Sequence, residues 1–321
     1  MFKKFLSKIG IGSASVNLIL EDASGRIGEK VVGRILVEGG AVDQKIDAID
    51  VDFILEARLG DKTARTTIET IAVARDLHVP SGKQVEYPFA HQLPELPISS
   101  QYVRYTYHTR LDIPEAIDKH DFDQFYVQPS LPVATAIGAF HALGFYDKHD
   151  SGVFNGRYQE FEYAPLSGSE SGPFAGRIDE LTVVYLAEED GVRLHIELDK
   201  TTKGLFGALA DKLDLDESHF TLFLSYQSLQ DSDATLQTIR RSLEAELNNP
   251  NPSRYPTLPK AHPHGQHKHR GGGAGSGLLG GIAGGIAGYA IGEALFGDDD
   301  SEQTADGGII DDLGDFFGED D

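Results

Sequence analysis

The chain contains no cysteine, which excludes disulfide bonds, thiolate metal sites and cysteine nucleophiles. The same absence fits a reducing compartment, and we expect the protein in the cytoplasm. Basic residues are also scarce, with 28 Lys and Arg against 51 Asp and Glu and a net charge of −23. Because this charge repels a phosphate backbone, we expect no nucleic-acid partner.

The amino-terminal residues lack the apolar run of about 7–15 residues that defines a secretory signal. Four apolar side chains stand there beside three lysines, in a spacing that would give a helix one apolar stripe: Phe2, Phe5, Leu6 and Ile9. We expect this stripe to pack against the first domain, and contact with a membrane surface is the alternative.

Catalytic motifs are missing as well. The chain has no Gly-x-Ser-x-Gly elbow, no phosphate loop ending in Gly-Lys-Ser/Thr and no His-Glu-x-x-His. One Gly-x-Gly-x-x-Gly at 275–280 follows a loop and not a strand, so it does not indicate a nucleotide site. Acid–base chemistry would need acidic side chains to converge in a cleft. We interpret the following ones as solvated loop charges and expect no catalytic residue, cofactor or enzyme activity: Asp112, Glu115, Asp118, Asp121 and Asp123.

Alternation of apolar and polar residues is abundant and is typical of half-buried strands. Before residue 130 the longest such run has inward positions at Val103, Tyr105, Tyr107, Thr109 and Leu111. After residue 150, the segments 181–186 and 192–198 predict a hairpin, in which Asp190-Gly191 favours a tight primed turn.

Helical spacing of apolar residues appears at 133–144, at 205–213 and at 236–247, the last capped near Ser232 or Asp233. We therefore predict a mainly β chain with two antiparallel β-sandwich domains. The predicted boundaries are a first sandwich at 1–130, a connector helix at 131–145, a second sandwich at 146–230 and a closing helix at 231–248. A detached low-complexity tail follows, with a Pro/His-rich linker at 249–270, a glycine-rich segment at 271–297 and an acidic tail at 298–321.

A series of short motifs occurs in order along the first two thirds of the chain. They are the opening residues 2–12, Gly28-Glu29 with Gly39-Gly40, 111–118 followed by Asp121-x-Asp123, 171–181, and 198–207. Together these motifs resemble the sporulation-control (SpoOM) family of bacteria and archaea. The resemblance covers residues 1–230 and implies arrestin-like sandwiches and a regulatory or scaffolding role through protein–protein interaction, with no catalytic residues to carry over.

Four histidines in the linker could ligate zinc, nickel or copper: His262, His264, His267 and His269. Neighbouring Lys268 and Arg270 oppose a cation, and a metal would have to order the segment. A plain spacer, weak metal binding and a pH-dependent contact with the acidic tail are the three alternatives.

Glycines recur every four residues at Gly280, Gly284, Gly288 and Gly292, which in a helix makes a groove where another helix can approach closely. Residues 271–292 carry no charge, and about 20 residues suffice to span a bilayer. Each glycine costs about 1 kcal/mol in a solvated helix, so we expect helix only on association. Self-association, partner docking, membrane contact and flexible chain are the alternatives.

Residues 298–321 contain eleven acidic and no basic residues. Among them, five apolar residues have helix-like spacing and predict a short docking peptide for a basic, apolar groove: Ile309, Ile310, Leu313, Phe316 and Phe317. A solubilising tail is the alternative. The expected function is a non-enzymatic regulatory or scaffolding protein that binds other proteins of unknown identity. The alternative function is a membrane-associated stress or envelope protein anchored by the glycine-rich segment.

Overall fold

The computed structural model describes residues 13–114, 118–168, 172–201 and 217–258. The described elements are β-strands in three sheets and two α-helices, so the predicted mainly β class is confirmed. The predicted short helix at 205–213 lies outside the described residues.

Two sheets form the first domain. The smaller one is antiparallel and consists, in spatial order, of β1 (Ser15–Leu20), β3 (Lys30–Glu38) and β6 (Gln84–Gln92). The larger one consists of β2 (Ser24–Arg26), β8 (Lys119–Gln128), β7 (Val103–Asp112), β4 (Gln44–Leu59) and β5 (Lys62–Val79). Only β2 pairs in parallel within the larger sheet.

The core of the first domain lies between these sheets, as the alternation predicts. The inward residues of β7 are all buried: Val103, Tyr105, Tyr107, Thr109 and Leu111. Phe53 of β4 lies opposite Tyr107, and their stacked rings have centroids 4.7 Å apart. Because full burial of a phenylalanine side chain stabilises a fold by about 1.5–3 kcal/mol, this aromatic layer holds the sheets together.

The described strands of the second domain form one antiparallel sheet. Its order is β10 (Val153–Phe154), β11 (Gln159–Pro165), β12 (Ile178–Ala187), β13 (Gly191–Lys200) and β14 (Glu217–Ser225), and β9 (Phe145–Asp147) also pairs with β11. Helices α1 (Leu131–Ala142) and α2 (Ser232–Leu247) share a core with this sheet, in which Phe140 and Ile239 join Leu194. In the described residues, helices therefore cover the sheet where the sequence predicts a second sandwich, because their apolar stripes take the place of a facing sheet.

Both helices lie where the apolar spacing predicts them. Helix α1 has Pro132 in its first turn and buries Val133 and Phe140. Helix α2 begins after Asp231, whose carboxylate accepts the Ala234 N–H at 3.0 Å, so the cap lies one residue before the predicted position. Neither described helix is long and apolar enough to cross a membrane.

Strands β12 and β13 form the predicted hairpin, with Ala187 opposite Val192. The predicted primed turn is wrong, because neither Asp190 nor Gly191 has a positive φ. Gly191 instead opens β13, where a Cβ atom would lie 2.2 Å from the Leu224 carbonyl oxygen. Glycine is needed here for the close approach of β14, not for the turn.

The chain stays attached to the second domain after α2 ends. The His219 N–H in edge strand β14 donates to the Ser253 carbonyl at 2.7 Å. Further along, Thr257 Oγ1 lies 2.8 Å from His195 Nδ1, on the face of β13 that points away from the helices. Residues 249–258 therefore cross the sheet, and the tail is not detached directly after Asn248.

Candidate functional site

The site residues predicted from sequence lie outside the described part of the chain. They are the apolar stripe Phe2, Phe5, Leu6 and Ile9, the four histidines of 262–269, the four glycines of 280–292 and the five apolar residues of 309–317. Their roles stay predictions. Within the described residues, no group of three or more His, Asp or Glu side chains is placed to hold a metal ion.

The first half of strand β8 turns acidic side chains inward and the Phe122 ring outward, whereas Phe125 and Val127 in its second half are buried. Asp121 lies opposite the buried Thr109, and Asp123 lies opposite the buried Tyr107, so both acids face the interior. The interpretation of Asp121 and Asp123 as solvated loop charges is therefore wrong. It failed because the strand's inward positions are acidic, whereas alternation is recognised by apolar ones.

The two inward carboxyls form a pair beneath strand β1. Asp121 Oδ2 accepts the Leu18 N–H at 2.7 Å, which ties β1 to β8. Asp123 Oδ2 is buried without a hydrogen-bond partner, and so is the Thr109 hydroxyl. Burial, followed by the charge of the neighbouring Asp121, raises the pKa of Asp123 to about 7. Two adjacent carboxyls cannot both ionise cheaply, so the pair holds one proton near neutral pH.

A hydrogen-bonded polar network covers the outer face of the larger sheet. Arg110 donates to both carboxylate oxygens of Asp52, at 2.8 and 3.2 Å, and Thr70 donates to Asp52 at 2.6 Å. Burial alone would raise the pKa of Asp52, but the hydrogen bonds from Arg110 and Thr70 lower it. Asp52 is therefore a fixed anion that orients Arg110.

Two histidines adjoin this network. Nε2 of His108 lies 2.9 Å from Nδ1 of His120, and the His108 ring stacks on the exposed ring of Phe122 with centroids 4.3 Å apart. Burial, helped by the charge of His120, lowers the pKa of His108 to about 4, although Asp52 acts in the opposite direction. His108 is therefore neutral at physiological pH and contributes a flat, uncharged ring surface.

Three arginines gather at the adjoining end of the same face. Glu56 of β4 lies opposite Arg104 of β7 on one side and opposite Arg65 of β5 on the other. Arg58 follows on the same face of β4, and its guanidinium group lies 5.2 Å from the centre of the Tyr102 ring. All three arginines are exposed, because outward positions of neighbouring strands stand side by side.

Two adjoining recesses of about 650 and 170 Å³ share Glu56 and Arg104, and Arg58 lines the smaller one. Arg65 lies outside both linings, across Glu56 from Arg104. The larger recess extends along β8 to Tyr126, which is 53% exposed, and the smaller one ends at Arg58 and Tyr102. We call this surface the arginine groove and define it by Arg58, Arg65, Arg104, Tyr102 and Tyr126.

The arginine groove places three cations close together in an acidic chain. Several cations elsewhere are neutralised by carboxylates within 4.0 Å, among them Lys45, Arg75, Arg110, Lys148 and Arg193. Arg58, Arg65 and Arg104 have no such salt bridge among the described residues. Glu56 lines both recesses, and Asp150 accepts the Tyr102 hydroxyl at 3.1 Å at the end of the smaller one. Neither carboxylate forms a salt bridge with these arginines, so the arginines keep donor capacity for an anionic ligand.

The junction between the two domains holds one end of the groove in place. The Gln159 side chain bridges the Ile98 backbone, accepting its N–H at 2.6 Å and donating to its carbonyl at 2.7 Å. Ser100, which lines the larger recess, donates to the Gly152 carbonyl at 2.8 Å. Phe154 of the second domain is buried in the core of the first. These contacts fix the groove relative to both domains.

Comparison with known proteins identifies relatives of this chain. A family model described as SpoOM protein matches residues 2–202. The sporulation-control protein spo0M of Bacillus subtilis (strain 168) is 29% identical over 255 residues, which cover 76% of this chain and 97% of that protein. The crystal structure of Spo0M from Bacillus subtilis matches with a TM-score of 0.56 and 26% identity, over 73% of this chain and 99% of that one. Since the family model matches more than half of its residues, the chain belongs to the SpoOM family.

Proposed function

We propose that this chain is a non-enzymatic, cytoplasmic regulatory protein of the sporulation-control type that acts by binding other proteins. Its binding surface is the arginine groove, and the ligand is an acidic segment of the partner. The name of the Bacillus subtilis relative supports the regulatory role. The groove supports the binding mode.

The observation that carries the proposal is the state of the three arginines. Arg58, Arg65 and Arg104 lack carboxylate partners in the described part of a chain whose net charge is −23. Guanidinium groups bind carboxylates through two parallel hydrogen bonds, so three of them side by side select an acidic chain. Repulsion from distant charges falls off over about 8 Å at physiological ionic strength, so the local arginines dominate at contact.

The aromatic residues of the groove add an apolar component. Tyr126 at one end and Tyr102 at the other offer ring surface to apolar side chains of the ligand. Tyrosine and arginine are the residue types that most often dominate binding energy at protein interfaces. An acidic peptide that also carries aliphatic or aromatic residues therefore matches the groove better than a purely acidic one.

Binding accounts for this geometry better than catalysis does. Glu56 is the one carboxylate in the two linings, the neighbouring Asp150 is hydrogen-bonded to Tyr102, and no imidazole lines either recess. The carboxyl pair Asp121 and Asp123 faces the interior, on the other side of the sheet. Acid–base chemistry needs a donor and an acceptor in reach of one substrate, and the described groove does not bring such a pair together.

Site-specific photo-crosslinking tests the proposal. The chain has no cysteine of its own, so a crosslinker attaches only to the cysteine that is introduced. A crosslinker attached to Gln124→Cys lies in the larger recess, and one attached to Lys83→Cys lies at an exposed turn elsewhere in the first domain. We expect a set of proteins captured from the groove alone. This set should disappear when Arg58, Arg65 and Arg104 are all changed to Glu.

A matched control changes three exposed cations outside the groove, Lys30, Lys83 and Arg241, to Glu in the Gln124→Cys background. This control should leave the captured set intact. Capture of the same proteins from both crosslinker positions, or full capture by the arginine variant, would contradict the proposal.

A further inference from the structure

We infer that the arginine groove is also the docking site of this chain's own acidic segment, residues 298–321, which competes there with the partner. The inference rests on the proposed function only in that both assign protein binding to the same groove. It names the ligand chemistry, an acidic peptide with apolar residues, and identifies one occupant.

Charge complementarity is the first argument. The segment contains eleven acidic and no basic residues, and the groove holds three arginines without carboxylate partners among the described residues. Asp311, Asp312 and Asp315 provide three of these carboxylates within five residues. Charge-assisted hydrogen bonds of this kind are about twice as strong as neutral ones.

Apolar complementarity points to the same pairing. Three of the segment's carboxylates lie among its apolar residues, which are Ile309, Ile310, Leu313, Phe316 and Phe317. On the groove side, the half-buried ring of Tyr102 and the exposed ring of Tyr126 flank the arginines, and the exposed ring of Phe122 lies further along β8. A ligand that is both acidic and apolar therefore finds both kinds of contact within one groove.

The length of the intervening chain permits the contact. Leu258 is the last described residue, and 39 residues separate it from Asp298. A chain of that length reaches at most about 130 Å, whereas a compact body of 250 residues has a radius of gyration of about 18 Å. The segment can therefore reach any part of the surface from its attachment on the second domain.

Covalent connection favours the chain's own segment over a free peptide. A tethered ligand experiences an effective concentration of about 1 mM, so even a weak contact is substantially populated. A partner must then bind more tightly, or carry more carboxylates, than the tethered segment. The acidic segment therefore raises the affinity that a partner needs and excludes weakly acidic competitors from the groove.

Distance measurement by fluorescence tests the inference on the full-length chain. Gln124→Cys and Gly314→Cys introduce the only two thiols, one in the groove and one in the acidic segment, for a donor and an acceptor dye. We expect high transfer efficiency at low salt and lower efficiency as salt rises, because the ion pairs are exposed. Changing Arg58, Arg65 and Arg104 to Glu should reduce the docked population at least about twofold.

Two further variants sharpen the measurement. The control that changes Lys30, Lys83 and Arg241 to Glu alters the net charge equally and should leave transfer efficiency unchanged. By itself, the change of Asp311, Asp312 and Asp315 to Lys should abolish docking. Combined with the change of the three arginines to Glu, it should restore docking. Restoration by the charge swap is expected if the groove and the segment attract each other through these charges.

The outcomes separate this inference from the proposed function. Equal transfer in the groove variant and the control would overturn docking of the segment, whatever the crosslinking experiment shows. A second result would also overturn docking within one chain. If energy transfer occurs only when donor-labelled and acceptor-labelled chains are mixed, the segment occupies the groove of a second copy. Docking without any partner captured from the groove would support the inference while the proposed function fails.

Discussion

The carboxyl pair of β8 makes a quantitative prediction about stability and pH. Replacing Asp123 by Asn keeps the shape of the side chain and provides a permanent N–H donor towards Asp121. The variant thereby no longer needs the proton that the pair shares. We expect Asp123→Asn to remove most of the pH dependence that this pair contributes to the free energy of unfolding.

The magnitude follows from the pKa of Asp123, which burial and the neighbouring Asp121 raise from 3.8 to about 7. A shift of about three units corresponds to about 4 kcal/mol. Because the carboxyl is only half buried, solvent screening reduces this figure, and we use about 2 kcal/mol.

The sign follows from proton linkage. The folded state of the parent chain holds this proton more tightly than the unfolded state does. The stabilisation is therefore complete below about pH 4 and is lost as the pH rises through about 7. The Asn variant does not lose it. Its free energy of unfolding relative to that of the parent should increase by about 2 kcal/mol between pH 4 and pH 8.

Denaturation in urea, followed by circular dichroism at each pH, measures this difference. Taking the difference between variant and parent cancels other titrating groups, including His91 and His141. Asp112→Asn is the matched control, since Asp112 is an exposed acid at the end of the neighbouring strand β7. A difference between Asp123→Asn and parent that stays constant from pH 4 to pH 8 would refute the shared proton.

Two further predictions concern packing. Thr109→Val should raise the free energy of unfolding by about 1 kcal/mol, because it removes a buried hydroxyl without a hydrogen-bond partner. Urea denaturation measures the change, and a loss of stability would mean that the hydroxyl is hydrogen-bonded in solution. Gly191→Ala should lower the melting temperature strongly, because its Cβ would lie 2.2 Å from the Leu224 carbonyl oxygen. In contrast, the Cβ of Gly138→Ala in α1 meets open space, so this change should raise the free energy of unfolding by about 0.5–1 kcal/mol. Equal effects of the two alanines would contradict the close approach of β14.

Elements whose apolar residues follow a regular period were predictable from sequence. The inward residues of β7 alternate without interruption, and the stripes of α1 and α2 repeat at helical spacing. In each case burial of the apolar face is the main stabilising term, so the pattern in the sequence and the orientation in the structure have the same cause.

Strand β8 shows where this reasoning stops. Its inward positions include Asp121 and Asp123, and its outward positions include Phe122 and Tyr126. In the first half of the strand, hydrophobicity alone would turn Phe122 inward and the two acids outward. Antiparallel pairing with β7 decides its orientation instead, because Phe125 and Val127 must enter the core and a one-residue slip would expose them.

The arginine groove was unpredictable for a related reason. Arg58, Arg65 and Arg104 lie on three different strands, β4, β5 and β7, and strand β6 separates the last two in the chain, so no local spacing relates all three. Only the register, which sets Glu56 between Arg65 and Arg104, brings them together. The same register turns Tyr126 outward, beside Arg104, because Phe125 is required inside. The inward acids of β8 and the groove therefore have the same cause. The pairing that buries Phe125 and Val127 also turns Asp121 and Asp123 inward and leaves the Tyr126 ring beside the arginines. A change that shifted the register of β8 by one residue would abolish the carboxyl pair and the aromatic end of the groove together.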